Sequence, residues 1–429
     1  MTTGNDIITL LSLIANRDFL TQTLKGILSG LGIYGDKLSG IERVIATIIG
    51  QPDRPPILAQ MHEHALYLTQ TSPTLFWHNA RTFVETEILV FRYYGFDLEL
   101  PLHDVYNIEA EALGQRLIYG ERSMPSIDPT EPLIKAPKDL LRLKSPNPYS
   151  DGRMPWVLEW ISLLPRVSNL LFPMGLFCAP FSLACGLRTY TALIRDMKRE
   201  PGFVRDLFSF LVDEVLFPYI KAMRQECGVK VAMGADAWAC FPNLTPKMVE
   251  EWVVPYVNRL KRRCRESGIR VIVVASADYC EERIDRLDSQ MLLRCLQAAA
   301  KVMGAPIGFI GMGIGHEWDL SVIQKYAWDN RSKFYGKMPI IGGINARLLR
   351  DGPPERLVEV VKRYINILGR DGRFFIFLAN IPADTPPEHI HTVIKAVHTY
   401  GHYPIPANLD RITYHSPVIE PFNSWLKRQ

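Results

Sequence analysis

Residues 42–64 decide how this chain is read. They run Glu42-Arg43-Val44-Ile45-Ala46 and then, past Gly50, Pro52-Asp53-Arg54-Pro55-Pro56-Ile57-Leu58-Ala59-Gln60-Met61-His62-Glu63-His64. Gly50 ends a helix, and the Pro-Asp-Arg-Pro-Pro turn that follows cannot continue one. The turn delivers the chain into a short apolar strand at residues 57–59. That strand ends in a polar cluster of a kind that a core does not accept.

Working outward, the same rhythm repeats. Short apolar runs at 96–100, 170–177, 230–233, 271–274, 307–310, 338–341 and 374–377 follow longer helical stretches, among them 75–94, 201–226, 249–266 and 289–302. Most are trailed by Gly, Pro, Asp or Asn. Strands that alternate with helices and read as continuous apolar runs predict an α/β protein with a parallel sheet. With 57–59 the runs number eight, the count of a (β/α)8 TIM barrel. Upstream, Leu10, Leu11, Leu13, Ile14, Leu20, Leu24, Ile27 and Leu28 recur at near-helical spacing. Residues 1–50 are therefore read as an N-terminal helical extension and 51–429 as the barrel. Residues 120–155, rich in Pro, Ser, Lys and Asp, are too long for an ordinary loop and are read as an excursion over the barrel mouth.

Composition narrows the function classes. A chain of 429 residues, 47% hydrophobic, can bury a large core, and its net charge is only +4. The short cluster Lys261-Arg262-Arg263 reads as a solvated helix face, so no nucleic-acid partner is expected. The seven cysteines form no Cys-x-x-Cys pair, which suits a reducing cytoplasm. No apolar run approaches the roughly 20 residues of a membrane span, and no secretory signal is recognisable, so the expected location is cytoplasmic.

In a parallel barrel, chemistry gathers where strands end. Strand one is followed by Gln60, His62, Glu63 and His64, and strand two by His103 and Asp104. Strand three leads to Cys178, Ser182 and Cys185, and strand four to Asp236, Trp238 and Asn243. Strand five leads to Ser276, Asp278 and Cys280, and strand six to His316, Glu317 and Asp319. Asn345 follows strand seven, and Asn380 and Asp384 follow strand eight. If strand one continues, His62 and His64 lie on one side, as a metal-ligand pair would; the alternative is hydrogen-bonded structure. His316 is the further imidazole such a metal could recruit. Asp104 is either a proton donor or a helix cap. Trp238 is either core or a stacking platform, and His316-Glu317 can be no more than a helix start.

Several phrases resemble one family in order and spacing. They are Gly95-Phe96-Asp97 through Leu102-His103-Asp104-Val105, with Glu109-Ala110-Glu111-Ala112-Leu113-Gly114; Cys178-Ala179-Pro180-Phe181-Ser182-Leu183-Ala184; Gly234-Ala235-Asp236-Ala237-Trp238; Gly342-Gly343-Ile344-Asn345; and Phe374 through Asp384-Thr385-Pro386-Pro387. With the opening phrase, they make the chain similar to the uroporphyrinogen decarboxylase superfamily from about residue 38 onward. This superfamily holds porphyrinogen decarboxylases and cobalamin-dependent methyltransferases. The resemblance implies a barrel enzyme whose site lies at the strand ends.

The departures bear on which activity. The decarboxylases carry MRQAGR after strand one, and its arginines bind the substrate's carboxylates as guanidinium groups do. The matching residues here are Met61-His62-Glu63-His64-Ala65-Leu66, with no arginine. The family's tyrosine after the strand-three turn falls near Gly186, and its histidine after strand eight near Ala379 or Asn380. Asp104 matches the strand-two aspartate. The zinc set of the methyltransferases, His-x-Cys after strand five and Cys after strand eight, is replaced by Ala275-Ser276-Ala277-Asp278 and Leu378-Ala379-Asn380.

The expectation is a corrinoid-linked methyltransferase, moving a methyl group between a small substrate such as a methyl ether and cobalamin. Asp104, His62, His64 and Glu63 are its expected catalytic residues. His103, Asp236, Trp238, Ser276, Asp278, His316, Asn345 and Asn380 are expected to bind substrate or cofactor. Zinc, if present, would use His62, His64 and His316. Cobalamin would arrive on a separate corrinoid protein or from solution, since no Asp-x-His-x-x-Gly carrier motif is present; a homodimer is an assembly that the resemblance allows. The alternatives are a decarboxylase of a tetrapyrrole or smaller acid, and a non-catalytic corrinoid- or tetrapyrrole-binding protein.

Overall fold

The computed structural model describes residues 38–429 apart from 122, 171, 276–287, 305–309, 316 and 332–336. The expected helices of residues 1–36, and the candidates Ser276, Asp278 and His316, lie outside the described residues.

The strands are β1 (Ile57–Ala59), β2 (Leu117–Ile118), β3 (Ser126–Ile127), β4 (Met174–Cys178), β5 (Val231–Ala235), β6 (Arg270–Val274), β7 (Ile310–Gly315), β8 (Ile340–Ile344) and β9 (Phe374–Leu378). Two parallel arcs carry the barrel: β4-β5-β6 in one, and β1-β9-β8-β7 in the other. Phe374 through Leu378 are all buried, as a strand covered on both faces requires. The interior is tight. A Cβ at Gly234 of β5 would sit 2.5 Å from the Phe177 ring, closer than carbon atoms pack.

The expected strand at 96–100 forms no ladder. Asp97 N–H donates to Ile57 O and Glu99 N–H to the Asn169 side chain. This extended segment therefore joins β1 to the chain leading into β4, bridging the arcs without regular pairing. Pro101 has no N–H to give to a ladder, and the Asp97 carboxylate is occupied elsewhere.

The opening phrase proves to be a structural lock beneath the barrel. Arg43, on the helix Gly40–Ile49, holds Asp53 through Nε (2.6 Å) and Asp97 through Nη1 (2.5 Å). Arg54 holds the other Asp97 oxygen at 2.8 Å, and Ile57 N–H donates to it at 2.7 Å. All four charged side chains are buried. Paired charges with their remaining donors satisfied are the tolerable form of buried ionisation.

Strand one also departs from expectation. The polar cluster does not extend β1, because a helix, His62–Thr69, starts at once. On a helix, residues two apart diverge by about 200°. His62 and His64 therefore do not share a side, and both are engaged in hydrogen bonds, the other of the two alternatives.

The excursion lies over the strand ends as a strap. It follows β2, pairs back onto it through β3, and contains the 3-10 turn Pro137–Arg142. Asn107 Nδ2 donates to Pro125 O at 2.6 Å, Met124 N–H to Glu63 Oε1 at 2.7 Å, and Arg188 Nη1 to Lys135 O at 2.7 Å. Gln115 accepts from Leu133 N–H and donates to Glu131 O, fastening the loop to itself. Ile127 Cδ1 lies 2.4 Å from where a Cβ on Gly186 would stand. The strap thus fills the space a larger side chain at Gly186 would need. No described helix is long and apolar enough to cross a membrane.

Candidate active site

A buried polar cluster occupies the ends of strands one to four. Asp104 is its centre, and Arg153 meets it from the far end of the strap, at the start of the helix Met154–Val167. The pair is bidentate, with Nη1–Oδ1 2.9 Å and Nη2–Oδ2 2.5 Å, and Arg153 Nε donates to Glu111 at 2.8 Å. Asn107 Nδ2 adds a bond to Asp104 Oδ2 at 3.0 Å. Asp104 is thus neither a cap nor a free acid, since both its oxygens are committed to a guanidinium.

The histidines divide. His62 uses Nδ1 on Leu102 O at 2.8 Å; burial pushes it below its ordinary range, while Glu63 and Asp104 pull it back. His64 turns away to Tyr94 Oη (2.7 Å) and Ala383 O (3.2 Å), and burial lowers it to about 4. His103 is edge-on to Trp160 at 4.9 Å, with neither ring nitrogen bonded. Burial drives it to about 3, so it is a neutral imidazole.

Asp236 reaches across to the helix Pro180–Arg188, taking Ser182 N–H (2.8 Å) and Oγ–H (2.7 Å) on Oδ1. This is capping by a neighbouring strand end, favoured by the positive helix terminus. Oδ2 has no partner, and burial raises the carboxyl to about 7 despite the Ser182 bonds. Ser182 Oγ in turn accepts Trp238 N–H at 3.1 Å. Trp238 is no core residue. It is 42% exposed and lies flat on Tyr190, with centroids 5.1 Å apart at 26°. Tyr190 is fixed through its hydroxyl to Asn243 O, so the pair presents a rigid aromatic face at the strand ends.

Two expected binding residues have local duties. Asn345 caps the helix Ala346–Asp351, its Oδ1 accepting Arg347 and Leu348 N–H. Asn380 adopts φ 47°, turning the chain out of β9 in a region that asparagine tolerates.

The cluster contains three side chains that the sequence did not single out. Arg153 was hidden in a stretch that reads as solvated loop. Glu109 sits on the one-turn helix Ile108–Ala112, fully buried. Its Oε1 accepts Cys178 N–H at 2.9 Å and its Oε2 is unpartnered. Burial raises it to about 8, with Asp104 adding to the shift. Tyr219, on the helix Phe217–Cys227, is fully buried with a free hydroxyl near enough to feel Glu109. A signal for Glu109 existed in Glu109-Ala110-Glu111, because only one of two carboxylates so spaced on a short helix can face water. Cys178, between Glu109 and Asp236, is pushed well up by burial and by both carboxyls, so its thiol is no ready nucleophile. Among the described residues no group of three or more His, Cys, Asp and Glu could hold a metal ion.

A helix-covered parallel barrel with a buried acid–base cluster at its strand ends defines a barrel enzyme. The profile of the Uroporphyrinogen decarboxylase (URO-D) family matches residues 40–400, and the chain belongs to that family. It is 26% identical over 314 residues to a uroporphyrinogen decarboxylase of Myxococcus xanthus, covering 72% of this chain and 79% of that one. A uroporphyrinogen decarboxylase of Danio rerio is 24% identical over 323 residues, covering 72% and 78%. A methyltransferase from Methanosarcina mazei has the same fold with a TM-score of 0.63 at 16% identity, covering 84% of this chain and 98% of that structure.

Proposed function

We propose that this protein is a corrinoid-linked methyltransferase, moving a methyl group between a small substrate, such as an aryl methyl ether, and a corrinoid. The observation that carries the reading is the charge state of the mouth. A porphyrinogen presents many carboxylates, yet His62 and Leu66 stand where the decarboxylases place arginines, with the carboxylate Glu63 between them. The arginine that the strap brings, Arg153, is neutralised by Asp104 and Glu111. Among the described residues of the buried cluster the one guanidinium is thus already committed, which disfavours a polyanion and suits a neutral ether.

A corrinoid, when bound, supplies the nucleophile that accepts the methyl group. The flat, exposed Trp238–Tyr190 face is the surface that fits a planar macrocycle or an aromatic substrate. The chain's own work is to exclude water with the strap, to hold the substrate oxygen near the cluster, and to protonate it. Asp104 fixes Arg153 and the strap, and so shapes the mouth. The described donor set does not fit zinc.

Gel filtration with cobalamin under reducing conditions, followed at the corrin absorbance, tests the proposal. Co-elution and methyl transfer from an aryl methyl ether are expected. Cobalamin-independent turnover of uroporphyrinogen would overturn it. That second reading, a decarboxylase, draws support from the relatives' names and from Asp104.

A further inference from the structure

Glu109 stands out among the buried groups of the site. Its side chain is fully buried, is held by backbone N–H groups alone, those of Cys178 and of Glu109 itself, and enters no salt bridge found among the described residues. The nearby guanidinium is already shared by Asp104 and Glu111. An ionised carboxylate with only neutral backbone donors and no counter-ion is not sustained in such a place, because desolvation costs more than those hydrogen bonds return. The carboxyl is therefore neutral, and its proton sits on Oε2, the oxygen that accepts nothing. The titratable groups that act on it come from separate elements: Asp104 at the mouth, Cys178 on β4 and Tyr219 on the helix Phe217–Cys227. Asp104 is committed to the Arg153 guanidinium through both oxygens, whereas Glu109 keeps an oxygen with no partner.

We propose that Glu109 is the proton store of the site, a positioning acid that replenishes the proton taken by the departing oxygen. This inference rests on the methyl-transfer reading. When the methyl–oxygen bond breaks, its electron pair stays on oxygen and one proton must arrive. Glu109 releases that proton into the cluster through its neighbours and regains one from solvent after the product leaves. Tyr219, whose buried hydroxyl is also unpartnered, is the adjacent group able to pass it. The bulk of the store's barrier to ionisation is burial, which is why its ordinary range is shifted towards 8.

The test uses the intact chain and Glu109→Gln, which keeps the acceptor for Cys178 N–H and removes the acid. The wild-type-minus-variant infrared difference spectrum should show a carboxylic-acid C=O band at pH 7 that disappears above pH 9. Glu87→Gln, on the distant helix Ala80–Tyr94, identifies the band of the other fully buried glutamate. Turnover should fall by about 10²–10⁴-fold in Glu109→Gln, and the alkaline limb of the wild-type pH profile should vanish. Glu109→Asp, which retains a carboxyl, should recover part of the rate and the limb. A carboxylate band at pH 7, or an unchanged rate and pH profile in Glu109→Gln, would overturn the proposal. If no methyl transfer is found at all, the function falls, while the infrared result still decides where the proton resides.

Discussion

Asp104 illustrates how a residue singled out in the sequence acquires its partner only in the fold. Its position at a strand end marks it for chemistry, and its partner lies 49 residues downstream in a strap that reads as solvent-exposed. No local pattern connects the two, because long-range ion pairs are made by the fold. The structure changes what Asp104→Asn should do. Removing one member of a buried pair strands the other, so the variant should lose about 3–5 kcal/mol of unfolding free energy. Glu111, which retains Arg153 Nε, moves the loss towards the lower end. Combining it with Arg153→Met should recover much of that loss, and a double-mutant cycle in urea checks the coupling. Additive losses would mean that the pair is not energetically linked. Trp238 calls for the opposite behaviour. Its half-exposed ring contributes little to folding, so Trp238→Ala should cost about 0.5–1.5 kcal/mol, the scale of one aromatic pair. Its binding of an aryl ether or cobalamin, read by titration, should weaken several-fold. A loss confined to stability would reduce the pair to packing.

At the level of elements, the apolar runs at 57–59, 230–233, 271–274 and 374–377 became strands within a residue or two of expectation, since buried parallel strands advertise themselves by continuous hydrophobicity. The misses have separate causes. The segment after Phe96 is extended but unladdered because Asp97 is claimed by Arg43, Arg54 and Ile57 N–H. The run read at 338–341 pairs two residues later, at Ile340–Ile344, with Lys337 held by Leu368 O at its start. The Met61–His64 cluster reads as strand end because two histidines alternate, whereas Ala65-Leu66 and the helix they build decide the matter. The lock at the barrel's base is where element order becomes stability. Arg43→Met removes the guanidinium that bridges Asp53 and Asp97 in a buried site and should cost about 3–5 kcal/mol in chemical denaturation. A loss under about 1 kcal/mol would show that water replaces the guanidinium and that the helix Gly40–Ile49 is an ornament to the barrel.

For the whole molecule, the buried titratable groups set a stability curve with a definite shape. Asp236 and Glu109 are raised to about 7 and about 8, and Glu87 is raised by burial alone. In the unfolded chain these carboxyls ionise near pH 4. Their contribution is therefore complete below that point and is lost as pH rises through the folded values, because the native state then holds more protons than the unfolded one. His64 and His103 are lowered to about 4 and about 3. Their contribution is complete above about 6.5 and is lost as pH falls towards the folded values. Between about pH 4.5 and 6.5 the two slopes oppose each other and stability should be nearly level. Above 6.5 only the carboxyl slope remains. At about 1.4 kcal/mol per pH unit for each group still protonated in the fold, Asp236 and Glu109 together should cost about 2–3 kcal/mol between pH 6.5 and 8. Urea unfolding at fixed ionic strength across that range measures it. Asp236→Asn and Glu109→Gln should each flatten the alkaline fall, whereas His103→Phe should leave it and soften the acid side. A wild-type curve that stays level to pH 8.5 would mean that both carboxylates are ionised and matched in the fold, and the acid–base reading of the barrel mouth would fall with it.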